Sequence, residues 1–389
     1  METLTRGEAE TCFDELQGWR RYFHRHPELG FEEFETARIV AGELRKYGLR
    51  VTEKVGKTGV VGILDGGRPG RTILLRFDMD ALPIQEMNEV EYRSETAGKM
   101  HACGHDSHMA VGLVCARILS QRKDQLAGRV KFVFQPAEEG RGGAEAMVAD
   151  GVLENPRPDY SLAMHVWAET GYGTILLHPG PFMAASDRVE ITILGRGGHG
   201  AMPHKAVDPV VAAAAVITNL QSIVARNVSP LEQAVVSITK VTGGETWNVI
   251  PDQVELYGSM RTFTETVREM VMKRIRTVAE DTASALGCRA EVRIIPITPA
   301  VVNDAGLVAR LDGICRRVLP DCTIDTACQT LASDDMAMFM QDIPGCYVMV
   351  GAKTGQGFGH HHPRFEIEEQ AMVQGVLILV NGVGELGDR

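Results

Sequence analysis

The sequence predicts an α/β protein of two domains, in which a mixed-sheet domain is interrupted by an inserted ferredoxin-like α+β unit. Three observations carry that prediction. A chain of 389 residues is longer than one hydrophobic core organises. From Val60 to His165, short apolar segments of strand type alternate with helical ones, the signature of an α/β sheet. From Arg188 to Ile297 the order changes to β-α-β-β-α-β, a ferredoxin-like layer. The predicted limits are 1–186 with 299–389 for the discontinuous domain, and 187–298 for the insertion.

Taken in order, Phe13, Leu16, Tyr22 and Phe23 predict one amphipathic helix, and Phe34, Ala37, Ile39, Val40 and Leu44 a second. His26-Pro27-Glu28-Leu29-Gly30 interrupts them, and Gly48 caps the second. Strands are predicted at 60–64 and 72–77 around a Gly/Pro-rich turn, then a helix at 109–120, a strand at 129–134, a helix at 143–149 and a strand at 160–165. The insertion is predicted as strand 188–194, helix 208–226, strands 234–241 and 253–260, helix 264–286 and strand 290–297. After Asn303 a helix, a strand at 347–350, a Gly-rich loop at 351–359 and a final helix at 368–380 complete the chain.

Composition is that of an ordinary globular protein, 44% hydrophobic and 23% charged. A net charge of -11 disfavours a nucleic-acid backbone or an anionic membrane as partner. No run of eighteen apolar residues occurs, and the first residues lack the basic and apolar regions of a signal peptide, so a cytoplasmic protein is expected. The eight cysteines follow no repeating framework and predict no disulfide scaffold.

Chemistry concentrates in His101-Ala-Cys103-Gly-His105-Asp106-Ser-His108, which sets three imidazoles, a thiol and a carboxylate within eight residues. Such mixed donors suit zinc and its first-row neighbours better than calcium or magnesium. Cys103 and His105 could reach a metal from a loop. Glu139, His165 and one of His360, His361 and His362 would arrive from other strand ends. Five ligands are too many for one tetrahedral catalytic ion but suit two ions that share a bridge and activate a water between them. Glu138, beside a ligand in sequence, could move the proton of that water to a leaving amine. Asp78 and Asp80, at alternate positions, could orient ligand imidazoles, with Asp106 a further candidate.

In the insertion, His199 or Asn248 could donate to a developing oxyanion and Arg261 could hold a substrate carboxylate. A cysteine nucleophile at Cys103 with a histidine base is the competing reading. His24-Arg-His26 is expected to settle local packing. There is no GxxxxGK[ST] loop, no GxSxG elbow and no HExxH helix.

Seven segments, in family order across nearly the whole chain, resemble the M20 metallopeptidase family, in particular its amidohydrolase branch of hippurate, N-acyl-amino-acid and auxin-conjugate hydrolases. They are 24–31 (His-Arg-His-Pro-Glu-Leu-Gly-Phe), 78–84 (Asp-Met-Asp-Ala-Leu-Pro-Ile), 101–108, 134–140 (Phe-Gln-Pro-Ala-Glu-Glu-Gly), the loop from Gly-Gly-His199 to Pro-His204, Asn248 to Pro251, and His361-His-Pro363.

The resemblance implies that Cys103, His105, Glu139, His165 and His361 bind two divalent metal ions per subunit, zinc or else Mn, Co or Ni. It makes Glu138 the acid–base residue, and favours His361 over His362 because the family pattern is His-x-Pro. The insertion resembles the family's dimerisation domain, so a homodimer is implied, with His199 reaching the site of the partner subunit together with Asn248; Arg261 matches a substrate-binding arginine.

The implied reaction is hydrolysis of the amide bond of small N-acyl or N-aroyl amino acids. A dipeptidase or aminobenzoyl-glutamate hydrolase is the nearest alternative, and a non-catalytic metal-dependent binding protein the alternative of another class. Three places depart from the family pattern: Phe77 for Ala, His360 for Leu, and Ala332-Ser-Asp-Asp-Met336 for Gly-x-Glu-Asp-Phe. None removes a ligand; the last two put the acyl group and the amino acid in question.

Overall fold

The computed structural model describes residues 1–388. They form two compact units, one of Met1–Gly180, Val302–Gln329 and Asp335–Arg389, the other of Pro181–Val301 and Thr330–Asp334. The insertion therefore starts and ends a few residues outside the limits predicted above. It also takes in the Thr330–Asp334 segment, because Ala184 N–H donates to the carbonyls of Thr330 and Ala332.

The first unit is built on one eight-stranded mixed sheet in the order Arg50–Val55, Gly59–Asp65, Ala127–Gln135, Arg68–Asp78, Tyr160–Gly171, Gly345–Lys353, Thr174–Leu176, Thr323–Asp325. Its centre is parallel: Arg68–Asp78 pairs in parallel with both Ala127–Gln135 and Tyr160–Gly171, and the latter in parallel with Gly345–Lys353. Central parallel strands are covered on both faces, so they read as apolar runs. Residues 73–78 and 130–135 are buried without interruption.

The His105–Gln121 helix packs against the Phe13–Arg25 and Ala371–Gly387 helices and the Arg68–Asp78 strand. It is buried from His105 to Ala116 with no polar face, as a helix enclosed on all sides must be. Gly112 lets the sheet approach: a Cβ there would lie 2.8 Å from ring carbons of both Phe77 and Phe134, whose centroids are 5.3 Å apart. The Phe77 departure is thus part of the core.

Several short elements escaped prediction, among them the sheet strands Thr174–Leu176 and Thr323–Asp325, which are too brief to show a period. Arg50–Val55 is an edge strand whose residues are mostly exposed, so it shows no apolar run. The Arg6–Glu10 helix is one turn long but carries a legible capping box between Thr5 and Glu8.

The second unit is a four-stranded antiparallel sheet in the order Ala234–Thr242, Gln253–Thr262, Ala185–Leu194, Arg289–Thr298, with the Pro209–Arg226 and Glu265–Ala285 helices on one face. Alternation along Gln253–Thr262 buries every second residue, as a sheet covered on one face requires. Among the described residues one helix, Pro209–Arg226, is long and apolar enough to cross a membrane by length and composition. Its Ala212, Ala213, Val216, Leu220 and Ile223 form a buried stripe at helical spacing within this unit's core.

Candidate metal centre

The site lies in the first unit, beyond the carboxyl ends of its central strands, where open α/β sheets bind their ligands. The first difference from the sequence reading is local. Gly104, at φ 95, is the N-cap of a helix that starts at His105, not at Met109. A glycine is required there, since a Cβ would lie 2.4 Å from Val166 Cγ2. His105 and His108 therefore project from the first turn of a rigid, enclosed helix, and only Cys103 comes from the loop.

The donors predicted at distant positions are brought together. Ligand atoms of Cys103, His105 and His165 lie within 4.8 Å of one another, as do those of Cys103, Glu139 and His361, and of His105, Glu138 and Glu139. Cys103 Sγ is 3.6 Å from His165 Nε2, and His105 Nε2 is 4.0 Å from Glu138 Oε2. His361 Nε2 is 3.2 Å from Glu139 Oε1.

Two of these atoms, His105 Nε2 and Glu139 Oε1, are buried and make no hydrogen bond of acceptable geometry. Buried polar atoms are rarely left so, and a cation accounts for both. The soft sulfur, imidazole and carboxylate set fits a first-row divalent ion.

Hydrogen bonds at the far ring nitrogens select which imidazoles can serve. His105 Nδ1–H donates to the Asp80 carbonyl at 2.9 Å and His165 Nδ1–H to the Val166 carbonyl at 2.5 Å, so each turns Nε2 into the site. His108 is spent: Nδ1–H donates to Asp78 Oδ1 at 2.5 Å, and Nε2 accepts from Val166 N–H at 3.1 Å. His360 Nε2 accepts from Ala168 N–H at 3.1 Å, and burial pushes that imidazole down to about 3. His362 stacks on Phe358, and its Nδ1 accepts from Arg364 N–H.

Around the donors, Asp78 receives Arg76 Nη1 at 2.5 Å and lies 3.7 Å from His105 Nε2. Arg76, which the sequence reading missed, also reaches Gln135 and Asp335. Asp80 Oδ2 accepts from Glu139 N–H at 3.1 Å, tying one candidate ligand's backbone to the segment that orients another. Asp106 corrects its prediction. Its oxygens are taken by Arg20, His24 and the Ser107 N–H, and it holds none of the donor imidazoles. Nor is His24 a matter of local packing: it is a buried ring held between Asp106 and Glu86.

Burial and the nearby Glu139 carboxylate push the Cys103 thiol well above its usual range. Nucleophile and metal ligand alike require the thiolate, so either role for Cys103 calls for a cation beside it.

In the second unit, His199 lies on a two-residue strand paired with Val249–Ile250, and Gly200 N–H donates to the Asn248 carbonyl at 2.9 Å. Ala201 N–H donates to His199 Nδ1 at 3.1 Å, which leaves the ring proton on Nε2. Arg261 Nη1 is 3.2 Å from Ser333 Oγ, a residue of the departing Ala332–Met336 segment.

Peptidase family M20/M25/M40 matches residues 74–383. The N-acetylcysteine deacetylase of Bacillus subtilis (strain 168) is 40% identical over 358 residues, spanning 92% of this chain and 93% of that protein. IAA-amino acid hydrolase ILR1-like 2 of Arabidopsis thaliana is 37% identical over 372 residues, 94% of this chain and 84% of that protein. The crystal structure of the Bacillus subtilis YXEP protein, a dinuclear metal binding peptidase from the M20 family, superposes with a TM-score of 0.85 at 35% identity, covering 97% of this chain and 99% of that one. With matches of this length, the chain is an enzyme and belongs to peptidase family M20/M25/M40, in its amidohydrolase branch.

Proposed function

We propose that this enzyme hydrolyses the amide bond of N-acyl or N-aroyl amino acids, releasing a carboxylic acid and a free amino acid. The observation that carries the reading is the convergence of Cys103, His105, Glu139, His165 and His361 in overlapping donor groups, with Glu138 beside His105 and Glu139. Relatives named as an N-acetylcysteine deacetylase and an IAA-amino acid hydrolase support the substrate class.

Those five residues would hold two divalent ions, zinc first among the candidates, as the dinuclear relative supports. When bound, such a pair polarises the amide oxygen and makes water a nucleophile at neutral pH.

The rest falls to the chain. Glu138 takes the proton of the attacking water on a carboxylate oxygen and returns it to the amide nitrogen as the bond breaks. Asp78, held by Arg76, fixes the His108 ring beside His105, and Asp80 holds His105 by its carbonyl and Glu139 by its carboxylate. On the second unit, His199 Nε2–H with Asn248 is assigned to the developing oxyanion, and Arg261 to the amino acid's carboxylate. A homodimer joined through the insertion belongs to this reading, and light scattering tests it.

The experiment is a panel of acetyl-, benzoyl- and indoleacyl-amino acids with Gly-containing dipeptides, assayed before and after chelation. Hydrolysis of the acyl-amino acids that stops on chelation and in Glu138→Ala supports the reading. Turnover confined to dipeptides moves the enzyme to the dipeptidase alternative, and none at all with a filled metal site rejects hydrolysis.

A further inference from the structure

The segment His24 to Phe31 matches the family pattern, yet none of it enters the chemistry above. Its downstream loop does reach the catalytic turn. Residue 28 docks on the strand end below the site, where Ala81 N–H donates to the Glu28 carbonyl at 2.8 Å. Gly30 lies so close to Ala137 that a Cβ would be 3.0 Å from both Ala137 Cα and Cβ, and Arg141 Nη1 donates to the Gly30 carbonyl at 3.0 Å.

This loop delivers Glu33, a carboxylate with no exposed surface. Its Oε1 accepts from the Ala137 N–H at 2.9 Å, and its Oε2 accepts from the Thr58 hydroxyl at 2.6 Å.

Ala137 directly precedes Glu138 and sits at φ 53, in the left-handed region that a side chain with a Cβ normally avoids. Such a conformation persists only where the surroundings impose it. Ala137 is itself fully buried, so its N–H must have a partner, and Glu33 is that partner. The next residues are fixed in turn, with Glu139 N–H on Asp80 and Gly143 N–H on the Ala137 carbonyl.

We infer that Glu33 is a positioning residue: through the Ala137 N–H it imposes the left-handed turn that aims Glu138 and Glu139 into the site. It touches neither substrate nor donors, and acts on the reaction only through this backbone. The inference rests on the roles proposed for Glu138 and Glu139.

Its test compares wild type, Glu33→Ala, Glu33→Gln and the double variant Glu33→Ala/Ala137→Gly. Loss of a buried hydrogen bond to the turn is expected to lower kcat about tenfold in Glu33→Ala with KM nearly unchanged. Affinity for added Zn2+, measured by competition with a chelator, should fall about as much because Glu139 moves with Glu138. Glu33→Gln keeps an acceptor oxygen for Ala137 and should stay close to wild type.

The double variant makes no new contact, yet glycine takes a positive φ without a Cβ penalty, so it should recover most of both losses. Wild-type kcat and Zn2+ affinity in Glu33→Ala, or losses that glycine does not reduce, would overturn the inference. If the wild type hydrolyses nothing, the proposed reaction fails while Zn2+ affinity still decides the role of Glu33. If it binds no Zn2+ either, amide exchange over 137–140 decides: unchanged exchange in Glu33→Ala overturns the positioning role.

Discussion

The His24 ring donates from Nδ1 to Asp106 Oδ2 over 2.8 Å, with neither residue exposed to solvent. Its other nitrogen is 3.2 Å from Glu86 Oε1, so both ring nitrogens face carboxylates and the ring is held as the cation. Arg20, equally buried, meets the same Asp106 oxygen at 3.1 Å and reaches Glu366 and Glu369 at 2.6 and 2.9 Å. The network thus joins the residue after His105 to the segment that follows His361, behind both candidate ligands.

This network predicts a pH-dependent stability. Burial opposes the charged ring, but the bonds to Asp106 and Glu86 outweigh it and raise His24 from 6.5 to about 9. The contribution is fully present below pH 6.5 and is lost as pH rises through 9, since the folded state then retains a proton that the unfolded chain releases. Its size is on the order of 3 kcal/mol. The measurement is the unfolding free energy of wild type minus that of His24→Asn from pH 6 to 9.5, in which Glu33, pushed up to about 7 by burial, and Lys131, pushed down to about 8 by burial, cancel. A difference that does not narrow with pH removes the buried imidazolium.

Glu138→Gln keeps the size of the side chain but cannot take a proton. It is expected to lower kcat by about 10²- to 10⁴-fold on any substrate the wild type hydrolyses, with bound metal unchanged by elemental analysis. Loss of metal in step with activity would make Glu138 a ligand instead.

The three consecutive histidines are predicted to separate. His361→Ala should lower bound metal per subunit, because its Nε2 faces Glu139 Oε1. His362→Ala should leave metal content unchanged, its ring being stacked on Phe358. His360→Ala should act on folding instead, costing about 1–3 kcal/mol by stranding the Ala168 N–H. Elemental analysis with denaturant unfolding of the three variants distinguishes these outcomes.

Gly112→Ala tests the packing that sets the height of the site-bearing helix. Overpacking against Phe77 and Phe134 costs about 1–3 kcal/mol, against roughly 1 kcal/mol gained in helix propensity. A net destabilisation on the order of 1 kcal/mol is expected in denaturant titration, and a more stable variant would mean that the two rings yield.

Much of this protein was readable before its fold. Alternating strand and helix periods identified the mixed sheet, and the β-α-β-β-α-β order identified the inserted unit, because both patterns follow from which faces must be buried. The candidate donors were also legible as residue types, since Cys103, His105 and Glu139 sit in dense local motifs.

What the sequence could not determine was which of several equivalent groups is spent on the protein itself. His108 and His360 are as good as His105 and His361 by chemistry, and only the Val166 and Ala168 amides, delivered by a strand more than fifty residues away, occupy their Nε2 atoms. Asp106 stands beside a candidate ligand in sequence yet faces Arg20, because successive residues on a helix turn point in different directions. Glu33 gave no local signal at all, for its partner Ala137 lies 104 positions on. Residue types and short-range periodicity are written along the chain, whereas hydrogen-bond partners and side-chain directions at the site are set only when distant strands and helices close around it.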